Sequence, residues 1–111
     1  MNREEMFKIE LGYIKSDRIR NACIEMLKVL PEYFFEIEAS STGKYHPNYA
    51  LGERGLVRHT KVAVRIAYEL LGDVCIGDKY TQDEKDLMIM ALILHDGVTS
   101  GVPKERYTRF D

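Results

Sequence analysis

The run LMIMALILHDG, Leu87–Gly97, decides how the fold is read. Eight consecutive apolar residues, Leu87 to Leu94, lead directly into His95, Asp96 and Gly97. Upstream, Thr81 and Glu84 have the spacing of a capping box and Asp83 joins them in the first turn, so a helix is predicted to start near Thr81. A helix that is apolar on every side is a buried one. This helix is therefore expected to carry an imidazole and a carboxylate, side by side, to its end inside the protein. A buried charge is costly unless it is paired or bound to a metal. Two readings follow. Either Asp96 and Gly97 finish the helix and His95 is a satisfied core histidine, or the pair is a ligand set.

The rest of the chain is also read as helical. Residues 2–14 form a first helix, with Asn2 and Glu5 as capping residues and Met6, Ile9 and Tyr13 as its stripe, which Phe7 and Ile14 can join. A second begins at Ser16 or Asp17, where Ile19, Ala22, Cys23, Met26, Leu27 and Leu30 recur at core-facing spacing. Pro31 fits the first turn of a short aromatic helix holding Tyr33, Phe34, Phe35 and Ile37. The pattern breaks in residues 39–54, ASSTGKYHPNYALGER, which read as a long loop of the kind that tends to be functional. From Gly55 a third helix carries Leu56, His59, Val62, Ala63, Ile66, Ala67 and Leu70 on one face, which turns His59 inward. Residues 72–79 read as a polar connection and Asp86 as surface charge. No strand pattern, internal repeat or low-complexity segment is present.

Composition narrows the classes. The 111 residues make one domain, with 45% hydrophobic and 31% charged residues suiting a globular chain. No apolar run approaches the roughly 20 residues that span a bilayer, so a membrane partner is excluded. No signal-peptide pattern is present, and Cys23 and Cys75 have no metal-binding or redox spacing; both point to a reducing, cytoplasmic setting. Cys23 reads as a core thiol. The net charge is −2, unevenly spread. Residues 66–102 hold seven acids against two bases, whereas residues 41–65 hold Lys44, Arg54, Arg58, Lys61 and Arg65 against Glu53. The basic surplus is too small to predict a nucleic-acid partner but suits a small anionic ligand. STGK, Ser41–Lys44, is not a P-loop: Glu38 and Tyr45 replace the required Gly and Ser/Thr, and no strand precedes it.

Three histidines remain: His46 in the loop, His59 on the third helix and His95 beside Asp96. Two inward histidines on different helices, one next to a carboxylate, fit convergence on a transition metal; the set is too poor in oxygen for calcium. At this point the residues reach a resemblance. GLVRHT (Gly55–Thr60) followed by ALILHDG (Ala91–Gly97), with His59 and His95 separated by 36 positions, resembles the first two-thirds of the H…HD…D signature of HD-domain metal-dependent phosphohydrolases. The stretch FFEIEASSTGKYHPNYALGERGLVRHTKVAVRIA is similar to a bacterial and phage group of that superfamily with a KYHP loop.

The resemblance implies an all-α, HD-domain-like helical bundle spanning residues 1–111, with its core motifs in 44–97. It implies that His59, His95 and Asp96 hold a divalent ion (Mn, Fe, Co, Ni, Zn or Mg), with no other cofactor. It also implies that the substrate is a small phosphorylated molecule, such as a nucleotide or another phosphoester. Asp96, Lys44 and Arg54 are then the catalytic candidates, with His46 and Arg58 contacting substrate or buttressing the ligands. The family's last ligand is an aspartate on a later helix. Here only Glu105 and Asp111 follow the HD pair, and neither is expected to reach the cluster, so the chain is expected to be the N-terminal part of a larger HD domain. This length is expected to hydrolyse phosphoesters poorly or not at all. The alternative is a non-catalytic helical module acting through protein contacts, with a second copy of the chain as the partner considered.

Overall fold

The computed structural model describes residues 2–36 and 55–100, and within them every regular element is helical. The order is α1 (Arg3–Met6), α2 (Lys8–Leu11), α3 (Asp17–Val29), α4 (Glu32–Glu36), α5 (Gly55–Gly72), α6 (Val74–Gly77) and α7 (Gln82–Ser100). None of these helices is long and apolar enough to cross a membrane. The loop residues Lys44, His46 and Arg54, like Glu105 and Asp111, lie outside the described residues.

Local signals set the helix starts. Asn2 Oδ1 accepts the Glu5 N–H, and Ser16 Oγ accepts the Ile19 N–H, each satisfying a donor that has no intrahelical partner. At α7 the capping box closes both ways: Glu84 N–H donates to Thr81 Oγ1 at 3.1 Å and Thr81 N–H to Glu84 Oε1 at 2.8 Å. One further turn appears where only a polar connection is expected. Asp73 accepts the Cys75 N–H and starts the single turn α6.

The core is built on α7 and α5, with α3 and α4 packed against them. Phe7, Phe34 and Phe35 meet in one aromatic cluster, with Phe34 and Phe35 edge to face at 4.8 Å. Arg3 lies over the Phe35 ring and donates to the carbonyls of Leu27, Lys28 and Leu30. It thereby answers the orphan acceptors at the end of α3. Four of the six residues expected on the α3 stripe are buried, Ile19, Cys23, Leu27 and Leu30, while Ala22 and Met26 stay exposed.

Elsewhere the packing turns the stripes. In the N-terminal segment Phe7, Glu10, Leu11 and Ile14 are buried and Ile9 is exposed, because the chain breaks between α1 and α2 at Phe7. On α5 the buried residues are Gly55, Leu56, Val57, Thr60 and Val64, leaving Ile66 and Leu70 in solvent. The α7 run is not buried on every side: Ile89, Ile93 and Leu94 face the core while Leu87 and Ala91 are exposed. Nor does the helix stop at Gly97. It runs on to Ser100, and Gly97 serves close approach instead, since a Cβ there would stand 2.6 Å from Leu30 Cδ1.

Two buried carboxylates tie the layers together. Glu10 is 0% exposed. It accepts from Lys61 Nζ and Arg65 Nε at 2.9 Å each, joining α2 to α5. Asp86, expected at the surface, is 1% exposed. Its Oδ1 accepts the Lys15 N–H at 3.0 Å and the Gln82 amide at 2.9 Å, and its Oδ2 accepts the Ser16 N–H at 2.8 Å. Burial alone would raise its pKa. The two backbone donors, the Gln82 amide and the Arg20 charge outweigh burial and hold the carboxyl below its usual value.

Candidate functional site

α5 and α7 run antiparallel, as the contacts at their two ends require. Thr60, near the start of α5, reaches Asp96, near the end of α7, while Leu71 and Gly72 share a cavity with Gln82 and Lys85. The HD pair therefore sits beside the first turns of α5. Thr60 is fully buried, and its Oγ1 donates to Asp96 Oδ2 across 3.5 Å, a long contact. Asp96 is partly buried and His95 is exposed, so the pair stands at the rim of the core rather than inside it.

The His95 ring has a defined proton arrangement. Nδ1 lies 2.8 Å from the Leu92 carbonyl oxygen, which only accepts, so Nδ1 carries the proton and donates. Nε2 lies 3.2 Å from Asp96 Oδ1. In the neutral ring this nitrogen presents a lone pair to a carboxylate oxygen, which is repulsive unless a cation stands between them. A divalent cation held between the two atoms would relieve that repulsion. With metal–donor bonds of about 2.0–2.1 Å, Nε2 and Oδ1 at 3.2 Å stand close enough together to be shared by one divalent ion. A ligating histidine that donates its other N–H to a backbone carbonyl is also the usual arrangement. The two donors thus fit a divalent ion.

His59 stands one residue before Thr60 and is half-buried; successive helical residues diverge by about 100°, so the two point in different directions. Among the described residues no group of three or more His, Cys, Asp or Glu side chains is arranged to hold a metal. The structure thus brings Thr60, His95 and Asp96 together and leaves His59 as the neighbour of that cluster. Thr60 has no place in the sequence-based set, although the turn spacing from Leu56 puts it on the buried face.

Arg58 is exposed on the same turn of α5, and with Lys61, Val62 and Arg65 it lines a shallow cavity of about 200 Å³. Lys61 and Arg65 face Glu10, two cations against one carboxylate. A cavity of about 490 Å³, lined among others by the stacked Tyr13–Tyr68 pair, Lys15 and Lys85, opens at the far end of α5. That end is about 18 Å from Thr60 at 1.5 Å per residue. Compared with known proteins, the chain matches no family model, no curated protein and no solved structure.

Proposed function

We propose that the chain is a metal-dependent phosphohydrolase module of the HD type, acting on a nucleotide or another phosphoester. The single observation that carries this reading is the His95–Asp96 pair: Nε2 and Oδ1 lie 3.2 Å apart while Nδ1 is committed to the Leu92 carbonyl. His95 and Asp96 would hold the ion, with His59 proposed as the third ligand although no group of three such side chains is assembled among the described residues. When bound, the ion would polarise a phosphoryl oxygen and lower the pKa of a coordinated water.

The protein's own contribution is preparation of the ligands and attraction of the substrate. The Leu92 carbonyl selects the His95 tautomer with its lone pair on Nε2. Thr60 engages Asp96 Oδ2, which leaves Oδ1 directed at His95. Arg58, exposed on the first turns of α5, is proposed to attract the phosphate of a substrate. Lys44 and Arg54 are proposed to assist it from the preceding loop, with His46 near them.

Isothermal titration with Mn, Co, Ni, Zn and Mg, followed by hydrolysis assays on p-nitrophenyl phosphate and a nucleotide panel, tests the reading. Wild type should bind one divalent ion, and a chelator should lower its melting temperature, since a native-state ligand at a hundredfold its Kd stabilises by about 2.7 kcal/mol. His95→Ala and Asp96→Asn should abolish both effects. Absence of binding, or binding unchanged in His95→Ala, overturns the reading.

A further inference from the structure

We propose that α5 carries a self-complementary face through which two copies of the chain pair antiparallel. This inference is independent of any metal at His95 and Asp96. Val62, Ile66 and Leu70 recur at i, i+4 and i+8, and they form a second apolar stripe on a helix whose other side already faces the core. Ile66 is 57% and Leu70 50% exposed. At 100° per residue the three fall within an arc of about 80° centred on Ile66, whereas the buried Val57, Thr60 and Val64 lie about 120–180° away from it. An exposed stripe of this kind, bordered by charge, is the pattern of an interaction surface.

The charges decide what covers it. Arg58, Arg65 and Glu69 all lie on one flank of the stripe, about 60–100° from Ile66. They are ordered along the axis, with cations toward the start of the helix and the acid toward its end. Arg65 is a surplus cation, sharing Glu10 with Lys61 while 48% of its side chain stays exposed. Glu69 is exposed and makes no ion pair among the described residues.

In an antiparallel pair with a two-fold axis at Ile66, each flank meets the same flank of the other copy. Val62 then lies opposite the partner's Leu70. Glu69 falls within about 3 Å, along the axis, of the partner's Arg65, since the offset is two residues at 1.5 Å each. Both copies gain this pair at once. A parallel pair would instead set this charged flank against the opposite, uncharged flank of the other copy, which carries Ala63 and Ala67, and neither Arg65 nor Glu69 would meet an opposite charge there.

Sedimentation velocity over a concentration series on the full chain is the test. Wild type should show a concentration-dependent dimer. Ile66→Asp should raise its dissociation constant about tenfold or more while far-UV circular dichroism stays unchanged, because the residue is exposed in one copy. Glu69→Arg should weaken the dimer at low salt and lose that effect at high salt. Orientation is read by oxidative cross-linking in a Cys75→Ser background. Val62→Cys mixed with Leu70→Cys should cross-link, and neither should cross-link with itself. A chain that stays monomeric at its solubility limit, a dimer indifferent to Ile66→Asp, or self-cross-linking by either cysteine variant overturns the proposal.

Discussion

Replacing Asp86 tests the account of the fold most directly. Asp86→Ala leaves the partly buried N–H groups of Lys15 and Ser16 without their acceptor and removes the partner of the Gln82 amide. A fully buried donor left unsatisfied costs about 1–3 kcal/mol, so the two partly buried backbone donors, each short of the upper figure, predict a loss of about 2–5 kcal/mol. For a domain of this size that corresponds to a melting temperature lower by roughly 8–20 °C. Urea unfolding followed by far-UV circular dichroism measures it. The pH dependence separates the charge from the packing. The folded pKa is depressed, so its stabilisation is fully present above the unfolded carboxyl value of about 3.9 and disappears as the pH falls through the folded value. The stability difference between wild type and Asp86→Asn should therefore be flat from pH 7 to about pH 5 and narrow below about pH 4. A loss under about 1 kcal/mol for Asp86→Ala, or a difference that does not change on acidification, refutes the reasoning.

Three further outcomes are expected. Gly97→Ala, normally worth up to about 1 kcal/mol in favour of a helix, should instead destabilise by about 1–3 kcal/mol because its Cβ meets Leu30. In a urea-denaturation cycle with Leu30→Ala, the double variant should lose less than the sum of the singles. Glu10→Gln should cost about 3 kcal/mol in the same assay, since it leaves Lys61 and Arg65 facing a neutral group. Burial pushes the Cys23 thiol up to about 12, so a disulfide reagent at pH 8 should titrate the exposed Cys75 at once and Cys23 only after denaturant is added.

The separation between what is local and what is distant explains how much was legible. The helix starts at Ser16 and Thr81 and the α3 stripe could be read directly, because a cap or a helical period involves residues three or four positions apart. The pairing of His95 with Asp96 was likewise visible as a dipeptide. The burial of Asp86 was not, because its donors sit at Lys15 and Ser16, about seventy positions away. The rotation of α5 was equally hidden: Ile66 and Leu70 look as apolar as Leu56. The choice of face followed from Thr60 meeting Asp96 and from Glu10 drawing Lys61 and Arg65 toward α2. By itself, then, the sequence determined that the chain is helical, where α3 and α7 begin and which residue types stand together at the HD pair. Only the tertiary structure decided which of two apolar faces is core, and which carboxylates are buried. A periodicity states that a helix has a face, whereas the long-range partners that desolvate one face and satisfy its charges choose which one it is.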